Sequence, residues 1–194
     1  SKLIITGDHT YDQAFKTKKD FKKIKSLDKI KVLFITVNLQ AQGGTWSKTK
    51  RNKMLKILLN NFQNLKDKFQ LTIKIHPNNE NIIEYQSIID SIDPSFQVFQ
   101  KENLFDLLNE TDIVLTSSAS TAVACALILN KPVIIWNFFD VKGDLFLENE
   151  IAVECTDISQ ISKLISLSLS IDNEKNQNIK TFLQNYFYKQ DGLS

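Results

Sequence analysis

The sequence predicts an α/β fold, a doubly wound parallel sheet of about six strands with helices on both faces. Three observations carry this expectation. Short apolar, β-branched runs alternate with longer segments of helical periodicity along most of the chain. One run, Val32 to Val37 (VLFITV), is almost continuously apolar, as a central strand covered on both faces must be. Thr111 to Trp136 (TDIVLTSSASTAVACALILNKPVIIW) reads as strand, hydroxyl-rich loop, helix and strand in immediate succession.

In chain order, Leu3 to Thr6 is a short apolar strand ending in Thr6-Gly7-Asp8, where glycine permits a sharp exit. His9 to Phe15 begins a short helix. After the strand Val32 to Val37, Asn38 to Trp46 (NLQAQGGTW) forms a loop in which Gly43 and Gly44 allow close approach of a ligand, although such a pair also makes an ordinary turn. Ser47 to Lys66 is a long amphipathic helix with Met54, Ile57, Leu58, Phe62 and Leu65 facing the core. Leu71, Ile73 and Ile75 alternate with polar residues in the next strand, which His76-Pro77 ends. Asn79 to Ser91 follows as a helix, Phe96 to Phe99 as a strand, and Asn103 to Asn109 as one or two helical turns.

Beyond Trp136 the pattern loosens through Asn137 to Glu150, a segment with Gly143 and the acidic residues Asp140, Asp144, Glu148 and Glu150. Ile151 to Glu154 is a small strand. Asp157 caps a helix with Ile158, Ile161, Leu164, Ile165 and Leu169 on its apolar face, and Asn173 to Tyr188 is the last helix. The helix within 111 to 136 is apolar on every side from Ala122 to Leu129 and must be buried all round. Asn130 can take the left-handed conformation that ends it, and Pro132 prevents its continuation.

With 194 residues, 42% of them hydrophobic and 24% charged, residues 1–194 suit one globular domain and argue against disorder. A net charge of +2 and the lack of an aromatic-interleaved basic motif argue against nucleic acid as a partner. Eight lysines against two aspartates crowd Phe15 to Lys31. A solvated connection is the plainer expectation for Lys16 to Lys31, and peripheral contact with an anionic membrane surface or an acidic substrate is the other. Cys125 and Cys155 lie in apolar settings with no CxxC partner, which fits a reducing, cytoplasmic compartment. No signal-peptide pattern opens the sequence, and its longest apolar run, Ala122 to Leu129, is too short to cross a bilayer.

Two features could carry chemistry. His76 follows a strand and is fixed by Pro77, so its imidazole could reach a phosphate oxygen or a leaving group; it could equally cap the next helix or bond a loop carbonyl. Ser117, Ser118, Ser120 and Thr121 place four hydroxyls within five residues at a strand-to-helix turn, where free amides and the helix dipole favour an anion. Capping alone would need only one of them. GxGxxG, GxxxxGK[ST] and GxSxG patterns are missing, and two histidines with two isolated cysteines make a metal site an unpromising expectation.

Taken together, IITGDHTYDQAF, KVLFITVNLQ, IKIHPNN, DIVLTSSASTAVACALILNKPVIIW and YKQDGLS resemble the C-terminal, nucleotide-sugar-binding domain of GT-B glycosyltransferases of the surface and capsular polysaccharide type. The resemblance runs through nearly the whole chain and implies a Rossmann-like half of a two-domain enzyme. It implies that His76 and Pro77 match an HP motif contacting the donor phosphate or nucleotide, with His76 the one candidate catalytic group. Ser117 and Ser118 match an SS motif that holds phosphate oxygens together with Ser120 and Thr121. Gly7 and Asp8 would line the cleft, Asn38, Gly43 and Gly44 would close over the donor, and Asn137 to Asp140 with Glu150 would hold sugar or ribose, although no EX7E pattern is present.

The donor is then a substrate in UDP, CMP, CDP or GDP form, with no cofactor. The partner is an N-terminal acceptor domain outside this chain, and the isolated domain binds donor but transfers little. The compartment expected is the cytoplasm, at the inner face of the membrane if attachment is peripheral. CDP-polyol phosphotransfer, sugar-nucleotide 2-epimerisation and a non-catalytic nucleotide-binding or scaffold role are the alternatives.

Overall fold

A computed structural model of the chain describes residues 9–17, 29–37, 47–78, 80–140, 142–170 and 173–187. Six strands form one all-parallel sheet: β1 (Ile30–Ile35), β2 (Phe69–Lys74), β3 (Gln97–Phe99), β4 (Ile113–Thr116), β5 (Val133–Trp136) and β6 (Val153–Cys155). Their order across the sheet is β3-β2-β1-β4-β5-β6. The expected doubly wound α/β class is therefore the observed one. The strand expected at Leu3 to Thr6 lies outside the described residues.

Strand composition follows position. β1, β4 and β5 are central, and from Val32, Ile113 and Val133 onward every residue in them is buried. Near the edge, β2 keeps Gln70 exposed and Thr72 half-buried between its buried residues. Because side chains alternate, Val32 and Phe34 enter one core while Leu33 and Ile35 enter the other.

The first core lies under α2 (Lys48–Gln63), α3 (Ile82–Asp90) and α7 (Ile161–Leu169); the second lies under α1 (His9–Thr17), α4 (Leu104–Glu110), α5 (Thr121–Ile128), α6 (Leu145–Glu148) and α8 (Asn173–Tyr186). Each large apolar side chain fully buried in these layers contributes roughly 1.5–3 kcal/mol. Both cysteines are buried and free.

The helix starts are set by side-chain caps. Ser47, Asn81, Asn103, Ser120 and Asp144 each accept an amide from the first turn of the following helix. Val123 to Leu129 are buried, as an apolar helix packed on all sides requires. Asn130 ends α5 at φ 57, with the Lys131 amide donating to Ala126 O and the Asn130 amide to Leu127 O.

Two of the boundaries that differ from expectation have a local cause. β6 begins at Val153 because the Ile151 and Ala152 amides are taken by Phe146 O, which binds this segment to α6 before it can join the ladder. Asp157 caps a 3-10 turn, Ile158–Gln160, before α7 begins. Among the described residues no helix is long and apolar enough to cross a membrane.

Candidate functional site

The sheet order reverses between β1 and β4: from β1 the chain moves outward through β2 and β3, then returns to β4 on the other side. Open α/β sheets bind ligands at such a switch point, beyond the carboxyl ends of the strands. A cleft of about 320 Å³ occupies this edge, lined by Ile35 and Thr36 after β1, Lys74 to Pro77 after β2, Gln100 to Glu102 after β3, and by Leu104 and Ala122.

His76 is half-buried in this cleft. Its Nδ1 accepts the Asn78 amide at 3.3 Å, so the neutral ring carries its proton on Nε2 and keeps that nitrogen as a donor. The His76 amide is shared between Glu80 Oε2 at 2.7 Å and Thr36 Oγ1 at 3.0 Å. Glu80 also accepts the hydroxyls of Thr36 and Tyr85. Arg51, itself buried, lies 5.0 Å from the centre of the Tyr85 ring and pairs with Glu84 at 2.8 Å. Burial, the Glu80 charge and the bond to Glu80 all hold the Tyr85 phenol well above its ordinary range.

Lys74 sits two residues before His76 with its side chain buried against the same cleft. Its Nζ donates to Gln100 O at 2.7 Å and Ile75 O at 3.1 Å. Burial lowers its pKa, against the opposing pull of Glu102 and Glu80. Gln100 secures the other side of the loop, its Nε2 donating to Glu80 O at 2.7 Å and Pro77 O at 3.2 Å.

The hydroxyl loop reaches the cleft through the start of α5. Ser120 is half-buried and spends its hydroxyl on capping Val123. Thr121 and Ala122 then occupy the first two helical positions, whose amides have no intrahelical acceptor. Ala122 lines the cleft and Thr121 is exposed. Ser117 and Ser118 are 1% and 5% exposed, and Ser117 Oγ has no hydrogen-bond partner among the described residues. Thr116 Oγ1 donates to Ser118 O at 3.1 Å, which shapes the turn. The serine pair is therefore enclosed within the loop, away from the expected phosphate contact, and the α5 amides and Thr121 are what the loop presents outward.

The structure thus brings His76, the start of α5 and Thr121 to one edge. Asn137 follows β5 at the same edge, with its side chain donating to Glu154 at 2.9 Å. Glu150 does not join them: it precedes β6 on an exposed turn at φ 55, and Asn178 of α8 donates to its Oε2 at 3.5 Å. A residue entering a parallel strand stands at the amino edge of the sheet, away from the switch point. Gly7, Asp8, Asn38, Gly43 and Gly44 lie outside the described residues, as does most of Lys16 to Lys31.

Sequence reasoning missed Thr36, Lys74, Glu80, Gln100 and the role of Asp144. Lys74 alone had a local signal, because alternation in β2 puts it on the face of His76. Among the described residues, no cluster of His, Cys, Asp or Glu could hold a metal ion.

Solved structures share this architecture. The C-terminal domain of the glycosyl transferase group 1 family protein LpcC from Francisella tularensis superposes with a TM-score of 0.50 at 10% identity, over 82% of this chain and 87% of that domain. The wall teichoic acid polymerase TagF matches with a TM-score of 0.56 at 13% identity, over 90% of this chain. The chain has the fold of one GT-B half. MnaA of S. aureus, solved with UDP, carries the same half with a TM-score of 0.51 at 16% identity, over 94% of this chain. This GT-B half spans 53% of MnaA and 41% of TagF, about half or less of each. No protein-family model and no curated protein sequence matches it.

Proposed function

We propose that this chain is the donor-binding half of a glycosyltransferase and takes a nucleotide-sugar in the cleft between the ends of β1, β2 and β3 and the start of α5. The observation that carries the reading is the convergence on one cleft of the His76 imidazole, poised to donate from Nε2, and the free amides at the start of α5. Both favour a phosphate. As the sugar departs, negative charge develops on the nucleotide phosphate, and donors already fixed by the fold stabilise it without reorganising. Lys74 adds positive charge beneath the same cleft.

In this reading the acceptor is held by an N-terminal domain outside this chain, and the product is a polysaccharide or other glycan. The reading uses the His76-Pro77 pair of the HP motif and, from the hydroxyl loop, the α5 amides and Thr121, since Ser117 and Ser118 are buried. The likeness to a teichoic acid polymerase supports transfer of a polyol phosphate as a second reading, which uses the same phosphate-binding edge.

Calorimetric titration with UDP, CMP, CDP and GDP tests the proposal. One nucleotide binds the wild-type chain, and His76→Ala weakens that binding about tenfold, the loss of one phosphate hydrogen bond. A folded protein that binds none of the four contradicts it.

A further inference from the structure

We propose that Glu80 is the positioning residue of this site: it fixes the turn that carries His76, so that the imidazole is held with Nε2–H available to the cleft. The β1–β2 ladder explains why such a residue is needed. Its last bond runs from the Thr36 amide to Lys74 O at 3.0 Å, while the Ile75 amide turns the other way, to Phe99 O of β3 at 2.9 Å. The His76 amide therefore emerges from the sheet with no strand carbonyl to receive it. Glu80 Oε2 supplies that acceptor, and Thr36 Oγ1 is drawn into the same three-way contact from the end of β1.

The second carboxylate oxygen is anchored by the Tyr85 hydroxyl on α3, so the side chain spans two strands and a helix. The Glu80 carbonyl is held by Gln100 at 2.7 Å. The residue is thus restrained at its carboxylate and its backbone together. The turn it closes sets the Asn78 amide against His76 Nδ1, and that bond selects the tautomer. The required property is reach: a carboxylate at the end of a two-methylene arm can touch the His76 amide and the Tyr85 hydroxyl at once. Charge is secondary, since one acceptor oxygen serves the His76 amide and Tyr85 can accept a bond as well as donate one.

Two variants separate reach from charge. Glu80→Gln keeps the length and removes the charge; Glu80→Asp keeps the charge and shortens the arm. Nitrogen-15 imidazole spectra of both, with His9→Gln to assign the two histidines, report the tautomer directly. The expected result is a single tautomer for His76 in the wild type and Glu80→Gln, protonated at Nε2, and a mixture of tautomers in Glu80→Asp. For the nucleotide arm, which rests on the function proposed above, UDP, CMP, CDP and GDP are titrated into each protein. Glu80→Asp loses about tenfold in affinity for the nucleotide the wild type binds, and Glu80→Gln stays within about threefold.

A single Nε2 tautomer in Glu80→Asp, or a mixture in Glu80→Gln, overturns the assignment. The spectra need no ligand, so a wild type that binds no nucleotide sinks the donor-binding reading while the positioning of His76 is still decided.

Discussion

Asp144 Oδ2 accepts the Ala119 amide at 2.8 Å, while its Oδ1 accepts the Phe146 amide at 3.0 Å. One buried carboxylate therefore caps α6 and holds the hydroxyl loop ahead of α5. Removing it leaves two amides without their acceptor. Asp144→Ala is expected to lose about 1–3 kcal/mol of stability, read as a lower urea midpoint with an unchanged slope. The loop loosens with it, so nucleotide affinity should fall in the same variant. Loss of stability alone, with affinity intact, would separate the cap from the site.

Lys74 gives the protein a pH signature on the alkaline side. Burial lowers its pKa below the ordinary 10.5, so between the folded value and 10.5 the unfolded chain binds more protons than the folded one. Stability from this group therefore rises with pH across that window, as the cost of a buried ammonium is relieved. Lys74→Met removes the effect. Urea unfolding of both proteins at pH 7 and pH 10 should show the wild type gaining relative to the variant at the higher pH. An unchanged difference between the two would mean that the ammonium is solvated.

Tyr85 acts with the opposite sign. Its phenol is held well above the ordinary value of 10, chiefly by burial and the Glu80 charge, so above pH 10 the folded state keeps a proton that the unfolded state has lost. The stability it contributes is complete below pH 10 and declines as pH rises further. In Tyr85→Phe this decline disappears, and at neutral pH the variant is less stable by about 0.5–1.5 kcal/mol for the lost bond to Glu80. Alkaline unfolding curves of the two proteins, compared between pH 9 and pH 11, check both statements.

What the sequence made legible follows from the range of the interactions involved. Val32 to Ile35 and Ile113 to Leu115 announce buried strands because burial on both faces leaves no room for a polar residue. Asn130 announces its left-handed turn because few residues other than glycine tolerate φ 57. These are local facts. Glu80 meets Thr36 across 44 residues and Asp144 meets Ala119 across 25, and neither pairing has a pattern along the chain.

The hydroxyl cluster stands between these cases. Its composition marks the strand-to-helix turn, but only the fold decides that Ser117 and Ser118 turn inward while Thr121 faces out. Resemblance puts Glu150 at the donor edge, and the short α6 carries it instead to the entry of β6.

The proposed site puts a nucleotide phosphate between His76 and the start of α5. A crystal structure of the chain grown with whichever of UDP, CMP, CDP or GDP binds tightest tests it most directly. Phosphate oxygens are expected within hydrogen-bond distance of the Thr121 or Ala122 amide and of His76 Nε2, with Glu80 still on the His76 amide. A nucleotide seated away from the β1–β4 switch point, with this cleft filled by water, would contradict it.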